Sequence, residues 1–383
     1  VPAELRLAVA VLGAAVLSCA AVPLAIRVAN RTGFYDRPRG YKAHLAPTPY
    51  LGGAAMMLGV LPIAALTGSG LHAIGMLLGG TLVLFAVGTI DDRRPLPPAS
   101  RVLLEAAIAA IAWHSGLRWS VLGGGAASLV ITIVWVVGIV NALNLLDNMD
   151  GTAGATAGVA AAGIAVIASA RGDYALAAVA LSVTGGCVGF LRWNLANPAR
   201  IFLGDGGSLP LGFLLAGTAM ALQHHVSHGI GGLAVGVPLL GIPILDTSLV
   251  SFSRWRRGVS LIDGGRDHLT HRLLPRLGSP RRVAAAVGCA QAALALAVLG
   301  AVDAGHHVVV ALLATYLALA LATIAILEHL GFAATSANDL VAAGATDSAS
   351  VPFTEAEQPG SAVALESGIV PPVRLRFGRA LKR

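Results

Sequence analysis

The chain has 383 residues, of which 56% are hydrophobic and only 12% charged, with a mean hydropathy of +0.77. Soluble domains sit nearer half apolar with about a quarter charged, so this composition excludes a soluble globular protein. A net charge of +7 and a pI near 9.9 raise nucleic acid as a partner, but the placement of the charge argues against it.

Runs of roughly 20 apolar residues span a bilayer. Eleven such runs are read from the sequence, at about 5–29, 50–67, 70–90, 102–117, 127–146, 153–170, 174–191, 208–223, 229–252, 282–301 and 307–329. Backbone polar groups must be satisfied internally within lipid, so the runs predict helices and an all-α, polytopic membrane fold. The first run is long, lacks a basic leader and precedes ten more, which argues against a cleaved signal peptide. With the N-terminus outside, 23 of the 26 Lys and Arg fall in inner segments, leaving only Arg6, Arg118 and Arg171 outside. That asymmetry sets the expected orientation. Residues 1–330 form the predicted membrane domain. Residues 331–383, rich in Ala, Ser, Glu and Pro with a basic end, read as a disordered cytoplasmic tail.

In chain order, the first inner loop carries Lys42, His44, Thr48 between two prolines, and Gly52-Gly53. It reads as positive-inside charge or as an anion site, with the glycines allowing close backbone approach. The third run ends in Asp91-Asp92-Arg93-Arg94, followed by Arg101 and Glu105. Acidic residues at a helix C-terminus oppose the macrodipole, so Asp91 and Asp92 call for a compensating cation. Arg93 and Arg94 are one source and a bound Mg²⁺ another, since hard divalent ions take carboxylate oxygen. Arg101 and Glu105, one turn apart, are placed to pair.

The fifth run closes with Asn141, Asn144, Asp147, Asn148 and Asp150 before Gly151. Polar groups at such a position are functional candidates, and the asparagines share one helical face. After the seventh run, Phe202-Leu-Gly204-Asp205-Gly-Gly207-Ser208 opens a helix. It reads as a phosphate-binding helix start with an aromatic able to stack on a base, or as an ordinary cap. Asp246 lies deep in the ninth run and either pairs inside the bundle or lines a polar cleft. Beyond it, His268, His271 and Arg272 put three donors on one helical face; a zinc site is the thinner alternative. His224, His225, His228, His306 and His307 read as interfacial, and Cys19, Cys187 and Cys289 as packing residues.

A one-sided set of aspartates backed by Lys, Arg and His is what a Mg²⁺-dependent phosphate enzyme facing the cytosol requires. These motifs, taken together and in this order, resemble the polyprenyl-phosphate N-acetylhexosamine-1-phosphate transferases (glycosyltransferase family 4). Eleven spans resemble the branch that uses UDP-N-acetylglucosamine, whereas the muramoyl-pentapeptide branch has ten. The resemblance implies transfer of GlcNAc-1-phosphate from UDP-GlcNAc to a polyprenyl phosphate at the inner face of a bacterial plasma membrane, with Mg²⁺, or Mn²⁺ in its place. It implies metal binding by Asp91, Asp92 and Asp205, and catalytic roles for Asp91, Asp92, Asp147, Asp150 and His268. Substrate contacts fall to Lys42, His44, Thr48, Asn141, Asn144, Phe202, Gly204, His271 and Arg272. Two positions depart from the family pattern: Asn148 stands where a glycine is frequent, and Thr270 where a histidine is.

A phosphomonoester has a second pKa of about 6, so it is mostly dianionic at neutral pH and needs no base with the ordinary Asp value near 3.9. Asp91 and Asp92 are therefore expected to act through metal and positioning. Rival readings are the same chemistry with UDP-MurNAc-pentapeptide or another amino sugar, and a transporter, whose charges would lie nearer the midplane. Nucleic acid is not an expected partner, and nothing in the sequence dictates or forbids a homodimer.

Overall fold

The computed structural model describes residues 2–36, 47–69, 73–121, 125–226, 229–261 and 265–347, with side chains described as far as residue 329. Lys42 and His44 lie outside the described residues. Contacts divide the chain into two units, residues 1–330 and 331–383; of the second, only 331–347 are described, and they are helical.

Among the described residues there are thirteen helices, taking the first as one helix with a π-helical stretch at Val9–Gly13: α1 (Ala3–Thr32), α2 (Gly52–Thr67), α3 (Ile74–Arg93), α4 (Pro98–His114), α5 (Gly125–Leu146), α6 (Thr152–Ala170), α7 (Tyr174–Asn194), α8 (Asp205–Val226), α9 (Ile230–Leu239), α10 (Gly241–Arg257), α11 (Leu269–Leu277), α12 (Pro280–Val302) and α13 (His306–Asp347). The one exception to the all-α expectation is a ladder of two residues per strand, β1 (Tyr35–Asp36) antiparallel to β2 (Thr48–Pro49).

Among the described residues all eleven apolar runs fall on helices, but they are not eleven equal spans. Seven helices are each long and apolar enough to cross a membrane: α1, α3, α5, α6, α7, α12 and the His306–His329 part of α13. The pair α9–α10, bent by 82°, makes an eighth if counted as one span. Helices α2 and α4 have only 16 and 17 residues. Helix α8 is not among these seven; it sits inside the bundle. It is buried along all of residues 206–223 and packs against α2, α3, α5, α6, α7 and α9.

Small residues set the close packing. In α7, a Cβ on Gly189 would come within 2.8 Å of the Cys19 amide of α1, and Ser18 Oγ donates to the Gly186 carbonyl at 3.0 Å. Such contacts drive helix association where burial of apolar surface gives no net gain. At the α9–α10 break the freed backbone groups find side-chain partners, as a nonpolar surround requires. Gln291 donates to the Leu239 carbonyl at 2.8 Å and accepts the Ile242 amide at 3.1 Å, and the Tyr316 hydroxyl donates to Gly241 at 2.8 Å.

Candidate active site

The centre of the site is the start of α8. Asp92, in the last turn of α3, opposes the dipole of its own helix but caps that of its neighbour. Its two oxygens accept the backbone amides of Asp205 (2.8 Å) and Gly206 (2.9 Å). A carboxylate at a helix N-terminus satisfies orphan donors and meets the positive end of the dipole. These amides are therefore engaged by Asp92, which corrects the reading of this turn as a free phosphate-binding helix start. Asp91 is compensated separately: Leu96 N–H donates to Oδ1 at 2.5 Å, and Arg101 bridges Asp91 (2.5 Å) and Asp205 (2.6 Å). The compensating cation is thus Arg101 of α4, not Arg93, whose guanidinium lies 5.6 Å from the Phe34 ring centroid. Nor does Arg101 pair with Glu105, which is buried and accepts from Asn141 at 2.5 Å.

The end of α5 supplies the opposite wall. Asn144 donates to Asp205 Oδ1 at 2.7 Å and to the buried Ser208 hydroxyl at 2.9 Å. Asn141, one turn earlier, turns to Glu105 and so joins α5 to α4. The helix stops at Leu146, and Asp147 and Asp150 lie in the turn that leads to α6. Gly151 takes the left-handed φ of +82° that this turn needs, and its amide donates to Asn194 at 2.6 Å. Burial first, then Asp205, Asp92 and Asp150, push the Asp147 carboxyl well above the ordinary carboxylate range. Burial raises Asp150 to about 6. Raised carboxylates crowded in this way mark a site that favours added positive charge.

The third wall is the contact between the start of α2 and the segment before α8. Gly52 and Gly53 donate to the carbonyls of Phe202 (3.0 Å) and Leu203 (2.9 Å), and Phe202 N–H donates to Pro49 at 2.9 Å. A Cβ on Gly53 would lie 2.5 Å from Gly207 Cα, so the glycines permit the approach. Thr48, buried, belongs to the β ladder opposite Asp36. Phe202 is partly exposed, edge-on to Tyr50 at 6.2 Å between centroids. Burial first, then Asp36, Asp92, Asp147 and Asp205, hold the Tyr50 phenol protonated by raising its pKa. Gly204 has φ +72°, and a Cβ there would meet the Asp92 carboxylate at 2.6 Å.

The histidine loop is built differently from the expected three donors on one helical face. His268 precedes α11 in an extended conformation, and its ring lies 6.2 Å from that of His271. Asp246 pairs inside the bundle instead of lining a cleft: fully buried, it meets His268 Nδ1 at 2.9 Å and accepts the Leu269 amide at 2.7 Å. Arg272 is turned to Glu328 (2.6 Å), Ser253 (3.0 Å) and the Leu327 carbonyl (3.0 Å), an anchor to α10 and α13. Against the upward push of burial, Arg254 holds Asp267 down at about 2. Burial, His268 and Arg266 lower His271 below its ordinary value. Thr270 donates to Asn148 at 2.5 Å, so the two residues that depart from the family pattern touch each other.

Asp91, Asp92, Asp205, Asn144 and Arg101 are thus brought into direct contact, with Asp147 close enough to feel Asp205 and Asp92. Carboxylate oxygen is the donor type Mg²⁺ takes, and the negative charge here exceeds what the one bridging guanidinium offsets. Among the described residues no group of three His, Cys, Asp or Glu is arranged as a metal cage, and Arg101 stands between Asp91 and Asp205. The set fits Mg²⁺ in donor chemistry and charge. Tyr50 and Asn194 take part in or support the site without a signal in the sequence, each being a lone polar residue in an unremarked setting.

A helical membrane bundle with an acidic, amide-lined site at the ends of α3, α5 and α8 defines a multi-pass membrane enzyme. The chain belongs to glycosyl transferase family 4, whose family model matches residues 74–223, from α3 through most of α8. It is 30% identical to the decaprenyl-phosphate N-acetylglucosaminephosphotransferase of Mycobacterium tuberculosis (strain ATCC 25618 / H37Rv), over 73% of this chain and 78% of that protein. It is 29% identical to the undecaprenyl-phosphate alpha-N-acetylglucosaminyl 1-phosphate transferase of Haemophilus influenzae, over 67% of this chain and 76% of that one. A probable undecaprenyl-phosphate N-acetylglucosaminyl 1-phosphate transferase of Bacillus subtilis is 26% identical over 66% and 73%.

Proposed function

We propose that this protein transfers GlcNAc-1-phosphate from UDP-GlcNAc to a polyprenyl phosphate, with the site on the cytoplasmic face of a bacterial plasma membrane. The observation that carries the reading is Asp205, on which Asp92, Arg101 and Asn144 all converge beside Phe202. The relatives' names supply the acceptor class and the sugar. In this reading an oxygen of the lipid phosphate attacks the β-phosphorus of UDP-GlcNAc. The new O–P bond forms as the bridging P–O bond breaks, and UMP leaves with the electron pair. Asp91, Asp92 and Asp205 would hold Mg²⁺, which supplies positive charge against that developing on the departing UMP. Phe202 stacks on uracil; Asn144, Asp147 and Asp150 face the nucleotide and sugar; Lys42, His268 and His271 hold phosphate. Arg272 and Asn141 support walls of the site through Glu328 and Glu105.

The test is transfer of radiolabel from UDP-GlcNAc to an organic-extractable lipid by the purified chain. Transfer should require polyprenyl phosphate, stop with EDTA and return with Mg²⁺ or Mn²⁺. Preference for another UDP-amino sugar would move the donor assignment, and absence of transfer with every UDP-sugar would overturn the enzyme reading.

A further inference from the structure

Asp246 plays no part in the metal or nucleotide roles above, yet it is the most deeply buried of the aspartates near the site, at 0% exposure. A carboxylate withdrawn from water costs several kcal/mol unless strong donors meet it. Two do, and they divide its oxygens. Oδ1 accepts the amide of Leu269, the first residue of α11, and so caps that helix; Oδ2 faces His268 Nδ1 at 2.9 Å. Facing a carboxylate oxygen, Nδ1 is the ring nitrogen committed to the pair, and Nε2 is left as the second.

The loop around His268 is fixed at three further points. Arg254 grips Asp267 with two bonds, at 2.8 and 3.1 Å. Thr270, fully buried, is tied to Asn148 and thereby to the turn that carries Asp147 and Asp150. Arg272 is held by Glu328 and Ser253. A ring with one nitrogen committed, on a loop fixed at both ends, has little orientational freedom left to lose when substrate arrives. We propose that Asp246 is a positioning residue that fixes His268 with Nδ1 turned inward and Nε2 turned toward the substrate phosphate, to which Nε2–H donates when the ring carries its second proton. The proposal rests on the transfer reaction above for its substrate, and on the Asp246–His268 geometry for its mechanism.

The experiment uses the full chain in detergent with Asp246→Asn, His268→Ala and the double variant. The asparagine keeps an oxygen for the Leu269 amide but presents N–H to Nδ1, which reverses the tautomer. Asp246→Asn should lower kcat roughly ten- to a hundredfold while KM for the donor stays within about threefold and the melting temperature holds. In the His268→Ala background the same substitution should cause no further loss, because Asp246 acts through that ring. Equal losses in both backgrounds, or a loss that follows a lowered melting temperature, would reduce Asp246 to a helix cap and overturn the proposal. Should Asp246→Asn fail to fold, ¹⁵N NMR of histidine-labelled wild type decides. A proton on Nδ1 of His268 supports the pairing, and a bare Nδ1 with the proton on Nε2 refutes it. The NMR result does not depend on turnover, so failure of the pairing is distinguishable from failure of the transfer reading.

Discussion

Replacing Asp92 separates two explanations of why an acidic pair ends α3. The structure gives Asp92 two charge-assisted bonds, to the Asp205 and Gly206 amides at 2.8 and 2.9 Å, at the start of the central helix. Hydrogen bonds to a charged group contribute about 1.5–3 kcal/mol each, and loss of a helix cap alone costs typically ~1 kcal/mol. Asp92 is only partly buried, which argues for the lower end, so Asp92→Ala should destabilise by about 3 kcal/mol. Asp92→Asn, which keeps one acceptor oxygen, should lose about half of that. Both variants should also loosen Asp205 from Arg101 and Asn144, and transfer activity should fall with it. The assay pairs thermal melting of the detergent-purified protein with initial rates across pH. An unchanged melting temperature in Asp92→Ala would refute the capping geometry. An Asp92→Asn protein that melts like wild type, is inactive, and regains activity at high pH would make Asp92 a general base instead.

Other changes probe neighbouring contacts. Gly204→Ala places a Cβ at φ +72° and 2.6 Å from Asp92 Oδ2; the left-handed strain alone is about 1–2 kcal/mol, so a lowered melting temperature and loss of transfer are expected together. Thr270→Val keeps shape but leaves Asn148 Oδ1 without its donor, a penalty of about 1–3 kcal/mol. The turn bearing Asp147 and Asp150 should loosen, and KM for the nucleotide sugar should rise more than kcat falls. Asp267 titrates at about 2 in the fold because Arg254 favours its charged form, against about 3.9 in the unfolded chain. That stability is fully present above pH ~4 and is lost as pH falls through about 2. Asp267→Asn should therefore cost about 2 kcal/mol at pH 7, and its denaturation midpoint should approach that of wild type as the pH is lowered from 5.

The helical membrane class follows from composition alone, since 56% hydrophobic residues in long runs leave the backbone no other way to satisfy itself in lipid. So do the motifs: Asp91-Asp92, Asn144 with Asp147 and Asp150, and Asp205 stand out because polar groups beside apolar runs are rare without a use. The glycine pair 52–53 was legible as a close approach because hydrogen is the only side chain that admits a neighbouring backbone. Pairing was not legible. Local sequence offers Arg93 for Asp91 and Arg101 for Glu105, whereas the fold brings Arg101 across to Asp91 and Asp205, 104 positions away from the latter. Asp92 could be recognised as a cap only once α8 was placed against α3, because the amides it satisfies belong to another helix.

Asp246 shows the division most plainly. Its position in an apolar run made it conspicuous, and the sequence alone left open whether it paired or lined a cleft. Residue type and hydropathy are local and can be read along a chain. Which donor meets a given carboxylate depends on how separate helices pack, and only the tertiary structure puts His268 and the Leu269 amide on Asp246, 22 and 23 residues further along.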